Sequence, residues 1–223
     1  MIAVAAAGAI AGLTGIASGA EERVIAPADQ MDTVYSSYCA RAPVIAYKKT
    51  DYSVAHVKQL AGLKIDALVN NLAGNAYPAD KLPEALNAFG GKLIMDNRFD
   101  DGYKIFACAA EKYYDMSAMY KMAMLYKHGS DAYKEQFPTA LIAAPVKRDY
   151  EKAYFWIGSM MYVEMAEKTG RISAETQTGW NAIAMLDDLQ NTSKVPAKDQ
   201  VSIEKEVRVF IAKRYPEILT VSR

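Results

Sequence analysis

The chain has 223 residues, 52% hydrophobic and 23% charged. It is therefore long enough to bury a core and too apolar to be a disordered tail. Its 26 basic and 26 acidic residues cancel, which removes the broad basic face of a general nucleic-acid binder, so no nucleic acid is expected as a partner. With only Cys39, Cys108, His56 and His128, and no CxxC pair, the chain offers no zinc pattern, and no metal site is expected.

Residues 1–20 carry no charged side chain, and Glu21-Glu22-Arg23 follow at once. Ser18 and Ala20 are small, as the minus-three and minus-one positions of a signal-peptidase site require. The reading is a signal peptide over 1–20, cleaved after Ala20, and a chain exported to a bacterial periplasm. No Lys or Arg precedes the apolar run. A buried Ala/Gly-rich helix and an uncleaved anchor are the alternatives, and a membrane enters the expectations only through the anchor. Glycines at positions 8, 12, 15 and 19 count against a span. Export would carry Cys39 and Cys108 into an oxidising compartment, where a disulfide between them is one outcome. The other is that Cys108, in the stretch FACAA, is a small buried hydrophobe.

Residues 21–94 form a helical region of unclear type. Asp29 can cap a short helix through MDTVYSSYCAR, which Pro43 ends. A second helix starts at Asp51 or Ser53, carries a stripe through Val57, Leu60, Ile65, Leu68 and Leu72, is interrupted at Gly62 and stops at Gly74-Asn75. Lys81 to Met95 reads as a third, with Pro83 in its first turn. Gly90-Gly91 inside it costs about 1 kcal/mol per glycine against alanine, which predicts a kink or the close approach of another backbone.

From residue 95 to 223 the helical pattern strengthens. Gly102–Tyr114 and Met116–His128 are predicted helices, and Gly129 stops the second. An insertion at 130–145 follows, containing two prolines. Arg148–Lys168 is a helix, Ser173 opens another through Leu186, and Pro196 and Asp199 start the last, which ends at Pro216. No run alternates β-branched residues with polar ones, so the fold class is all-α.

The stretch RDYEKAYFWIGSMMY at 148–162 sits inside this region. On a helix, Tyr150, Ala153, Tyr154, Ile157 and Met161 share one face while Phe155 and Trp156 look to another. A helix apolar on two faces lies between neighbours, as in stacked helical repeats. The spelling agrees. Ala118, Met122, Ala123, Tyr126 and Gly129 make A-x3-M-A-x2-Y-x2-G, and Val146, Asp149, Lys152, Ala153 and Trp156 make V-x2-D-x2-K-A-x2-W. Over about residues 95–170 this resembles the Sel-one-like repeat family of tetratricopeptide-related helix-turn-helix units. The resemblance implies a short solenoid in which Ala118, Ala123 and Ala153 let backbones approach, Tyr126 and Trp156 fill the space beside them, and Gly129 makes the turn. Two features depart from the pattern: the turn holding the insertion is long, and Met160-Met161 stand where the family has an alanine pair.

No GxSxG, HExxH, Walker or GxGxxG motif occurs. No catalytic residue and no cofactor is therefore expected. The resemblance implies a non-catalytic scaffold that binds a protein or peptide as an adaptor or regulator in the cell envelope. A cell-wall or β-lactam hydrolase, known among such repeat proteins, and a structural subunit of an envelope machine are the alternatives. Within the insertion, Tyr133, Phe137, Leu141 and Ile142 are the candidate partner-binding residues, because an unstructured loop seldom carries so many apolar side chains. The export reading has a direct check. Amino-terminal sequencing of the natively expressed protein is expected to start at Glu21, and an intact chain in the cytoplasm would refute it.

Overall fold

The computed structural model describes residues 34–40, 59–60, 62–73, 81–136, 142–168, 177–192 and 194–220. The proposed signal segment, His56, Phe137, Leu141 and the expected helix start at Ser173 lie outside these. Among the described residues every regular element is a helix. They are a π-helical turn at Ser36–Ala40, then α1 (Ile65–Ala73), α2 (Leu82–Met95), α3 (Phe99–Tyr113), α4 (Met116–Gln136), α5 (Tyr150–Glu167), α6 (Gln177–Asn191) and α7 (Ala197–Ala212), closed by a 3-10 turn at Pro216–Thr220. The all-α expectation holds for them. None of these helices is long and apolar enough to cross a membrane.

Consecutive helices pack on one another from α1 to α6, and α7 returns to lie along α5. A continuous apolar core runs from Val34 through Leu68, Phe89, Met119 and Ile157 to Ile218. Local chemistry sets the corners. Tyr114 takes a left-handed conformation (φ 56°) to end α3, and the Asp115 carboxylate accepts the Ala118 N–H at 2.7 Å to start α4. The Asp149 side chain caps α5 in the same way, accepting from the Lys152 N–H at 2.9 Å. Gly129, expected to stop a helix, has φ 73° and ψ 168°. The side where a Cβ would stand faces the backbone of Val146 and Arg148, and an added Cβ would sit 3.2 Å from both.

The insertion is not wholly loop: Ser130–Gln136 resumes a helix beyond the break at Gly129. Of the two outcomes expected for Cys39 and Cys108, the structure has the disulfide, with Cα atoms 5.4 Å apart. It fastens the π-helical turn to α3, and two hydrogen bonds support it: Tyr38 Oη donates to the Leu72 carbonyl at 2.7 Å and Tyr113 Oη to the Tyr38 carbonyl at 2.8 Å.

The glycine pair in α2 does not kink the helix, which runs unbroken over Leu82–Met95. It serves the close approach that was the other expectation. A Cβ on Gly90 would lie 2.7 Å from the Phe106 ring and 3.1 Å from the Gly102 carbonyl, and one on Gly102 would lie 2.7 Å from the Gly90 carbonyl and 2.5 Å from Ile94. The backbones of α2 and α3 therefore touch glycine to glycine. Gly91 faces a looser space, 3.6 Å from Lys121 Nζ. Gly102→Ala is expected to cost roughly 3 kcal/mol through overpacking, whereas Gly91→Ala is expected to be neutral or to stabilise by up to about 1 kcal/mol through helix propensity. Urea unfolding of the two variants checks the contrast.

Candidate functional site

Helix α5 is buried on more than one side and packs against α4, α6 and α7. Ala153, Tyr154, Trp156, Ile157, Ser159, Met160, Tyr162 and Val163 are buried, distributed round the helix as the two-faced pattern predicts. Ala118 and Ala123 of α4 and Ala153 of α5 are all fully buried, and these two helices pack on one another. Trp156 stands edge-on to Phe155 and Phe210, with centroids 5.2 and 5.9 Å away. Tyr114 stacks on Phe210 at 5.0 Å, which joins the α3 corner to α7. Tyr126 shares a 2.8 Å hydrogen bond with the Tyr103 hydroxyl and lies under Lys152 Nζ, 5.2 Å from its ring centroid.

On the opposite side of α5 the covering helices leave a groove of about 260 Å³. Gly158, Met161 and Met165 of α5 form the floor, with Leu186 of α6 and Val207 of α7 as apolar walls. Met165 is 49% exposed, so the floor opens to solvent. Hydrogen-bonded pairs mark the rim. Gln190 Nε2 donates to the Tyr154 hydroxyl at 2.8 Å, Tyr162 Oη donates to Glu204 Oε1 at 2.6 Å, and Arg208 Nε donates to Tyr162 Oη at 2.9 Å. Arg208 also lies 3.7 Å from Glu204 and over the Tyr162 ring. Apolar walls with a few fixed polar groups at the edge are the usual make-up of a binding cleft.

The insertion residues are placed elsewhere. Tyr133 is half-buried against the α2–α3 corner, its ring 5.2 Å from Phe99 and its hydroxyl donating to the Ile94 carbonyl. Ile142 is half-buried. The N–H groups of Ala143 and Ala144 donate to the Asp100 carboxylate at 2.8 and 3.2 Å. This part of the insertion folds back over a helix corner, away from the groove. The groove was not singled out in the sequence. Its one signal was Met160-Met161 in place of an alanine pair, since Met161 lines the floor while Met160 is buried.

A second polar cluster joins α4 to α6. Asp188 lies on α6. It receives Lys127 Nζ at 2.7 Å and Lys194 Nζ at 2.6 Å, and these bonds hold its carboxyl below the usual carboxylate range. The pKa of His128, near the middle of α4, is also shifted. Partial burial and then the charges of Lys127, Arg148 and Lys194 lower its pKa, against the opposing pull of Asp188. It is therefore neutral at pH 7. Among the described residues no group of three His, Cys, Asp or Glu side chains is placed to hold a metal.

No protein-family model, characterised protein or solved structure gives a significant match to the chain.

Burial also displaces several titrating groups that hold the helices together. Lys121 lies 4.5 Å above the Phe106 ring, and burial pushes its ammonium down to about 8. Burial raises Tyr113 to about 12 and also raises Tyr103 and Tyr215. Between about pH 8 and 10.5 the unfolded chain holds a proton on Lys121 that the folded chain has lost, so stability rises with pH. Above about pH 10 the unfolded tyrosines ionise while the folded ones stay protonated, so stability falls. Urea midpoints are expected to climb above pH 8 and drop beyond pH 10. Lys121→Met should flatten the climb and leave the drop.

Proposed function

We propose that this chain is an exported, non-catalytic helical-repeat scaffold that binds a protein or peptide partner in the groove between α6 and α7. The observation that carries the reading is the open, methionine-floored cleft on α5, with apolar walls and a hydrogen-bonded rim. Methionine is flexible and polarisable, which suits a surface that adapts to an inserted apolar side chain. The Sel-one-like assignment is part of the proposal. Support comes from the buried alanines at positions 118, 123 and 153, the left-handed Gly129, the Asp149 cap and the buried Trp156, each placed where such a unit would use it. The disulfide supports an oxidising compartment, because bonds of this kind persist there and are rare in the cytosol. In such a scaffold the groove selects the partner, and the folded-back insertion braces the α2–α3 corner.

The groove reading is tested by charging its floor and wall. Met165→Glu with Leu186→Glu should leave the circular dichroism unchanged, because both side chains are partly exposed. The variant should lose, by at least about tenfold in affinity, whatever protein co-purifies with the tagged wild type, since a buried unpaired carboxylate opposes association. A partner that binds the double variant as tightly as the wild type would move the binding surface off the groove.

A further inference from the structure

The cluster around His128 has a chemistry that the groove does not use. Three cationic side chains from separate places in the chain act on His128 through their charge: Lys127 in α4, Arg148 in the extended segment before α5, and Lys194 in the turn after α6. Packing holds these places together. The Gly129 backbone abuts Arg148, whose nitrogen would lie 3.2 Å from an added Cβ. The Asp149 N–H donates to the Tyr126 carbonyl at 2.8 Å. Lys194 Nζ sits 5.7 Å from the Tyr150 ring centroid. Lys127 and Lys194 both lie 2.7 Å from the same oxygen of Asp188, so their nitrogens are no farther apart than twice that distance.

Asp188 thus acts as an internal clamp that holds two ammonium groups side by side. One carboxylate cannot neutralise two ammoniums and a guanidinium, and a positive excess remains. Beyond the larger effect of partial burial, the three cations push the His128 pKa further down, against the pull of Asp188. The Arg148 and His128 side chains are exposed, so the excess faces solvent.

We propose that Lys127, His128, Arg148 and Lys194 form a binding site for a phosphate monoester group. A planar carboxylate is satisfied by one guanidinium. Donors converging from three elements suit a tetrahedral dianion with several acceptor oxygens. A guanidinium and two ammoniums are the groups that phosphate sites commonly employ. The bound dianion replaces the missing countercharge and draws a proton onto His128. The same chemistry is presented by free phosphate and by the headgroup of a lipid such as phosphatidic acid.

The test uses the full chain with the wild-type sequence, with His128 followed by nuclear magnetic resonance. His56→Gln assigns the signal, since the chain has two histidines. Inorganic phosphate should raise the His128 midpoint by about one pH unit in a saturable way, beyond the change given by sodium chloride at equal ionic strength. Arg148→Gln, an exposed change that leaves the Asp188 pairs in place, should weaken phosphate binding roughly tenfold. Co-sedimentation with phosphatidylcholine vesicles containing phosphatidic acid separates the sources. Vesicle binding that Arg148→Gln abolishes points to a headgroup, and saturation by inorganic phosphate without vesicle binding points to a soluble phosphate. If neither probe binds, if phosphate acts only as chloride does, or if Arg148→Gln responds like the wild type, the site is refuted.

Discussion

A helix with large apolar side chains on two sides cannot be satisfied by a single neighbour, and α5 imposes that condition on everything after residue 114. Trp156 and Phe155 require the aromatic surface of Phe210 on α7, and Phe210 in turn is stacked by Tyr114 at the end of α3. Ala153 requires the small-residue face of α4. Helix α7 accordingly returns to lie along α5 rather than pairing closely with α6. The groove is the by-product: α6 and α7 both cover α5, but they do not close on each other over Gly158 and Met161.

The first half of the fold answers to a different constraint. Gly90 and Gly102 remove two side chains at one crossing, which lets the α2 and α3 backbones meet and puts Phe106 and Ile94 over the gap. Chain entropy is the opposing cost there, because glycine is a poor helix former. Offsetting it is the close contact itself, together with the Cys39–Cys108 bond that ties the π-helical turn to α3. Closing a loop of 69 residues contributes about 4 kcal/mol in the chain-entropy model.

Polar groups then decide the details that apolar packing leaves open. Asp115 and Asp149 start helices, Asp188 draws α4 to the turn after α6, and Asp100 holds the end of the insertion. Each of these carboxylates has two or more donors or an N-terminal turn to answer its charge, as partly buried carboxylates require. The cluster at Asp188 differs in having more positive charge than it needs, and the groove rim differs in having its charged pair, Glu204 and Arg208, bridged by a tyrosine hydroxyl.

Local properties were legible in the residues alone. Periodicity placed the helices from Lys81 onward and assigned the class; Pro83 and Gly129 marked helix ends; the pattern of 150–162 identified a helix apolar on two faces; and the glycine pair announced either a kink or a close contact. These follow from spacing and backbone preference, which act over a few residues. Tertiary structure decided what depends on pairs distant in the chain. It selected the contact over the kink, joined Cys39 to Cys108, turned Tyr133 onto Phe99, and set Asp188 between Lys127 and Lys194. It also left the groove between α6 and α7, which no local pattern encodes, because a cleft is the space that three packed helices fail to fill and belongs to none of them.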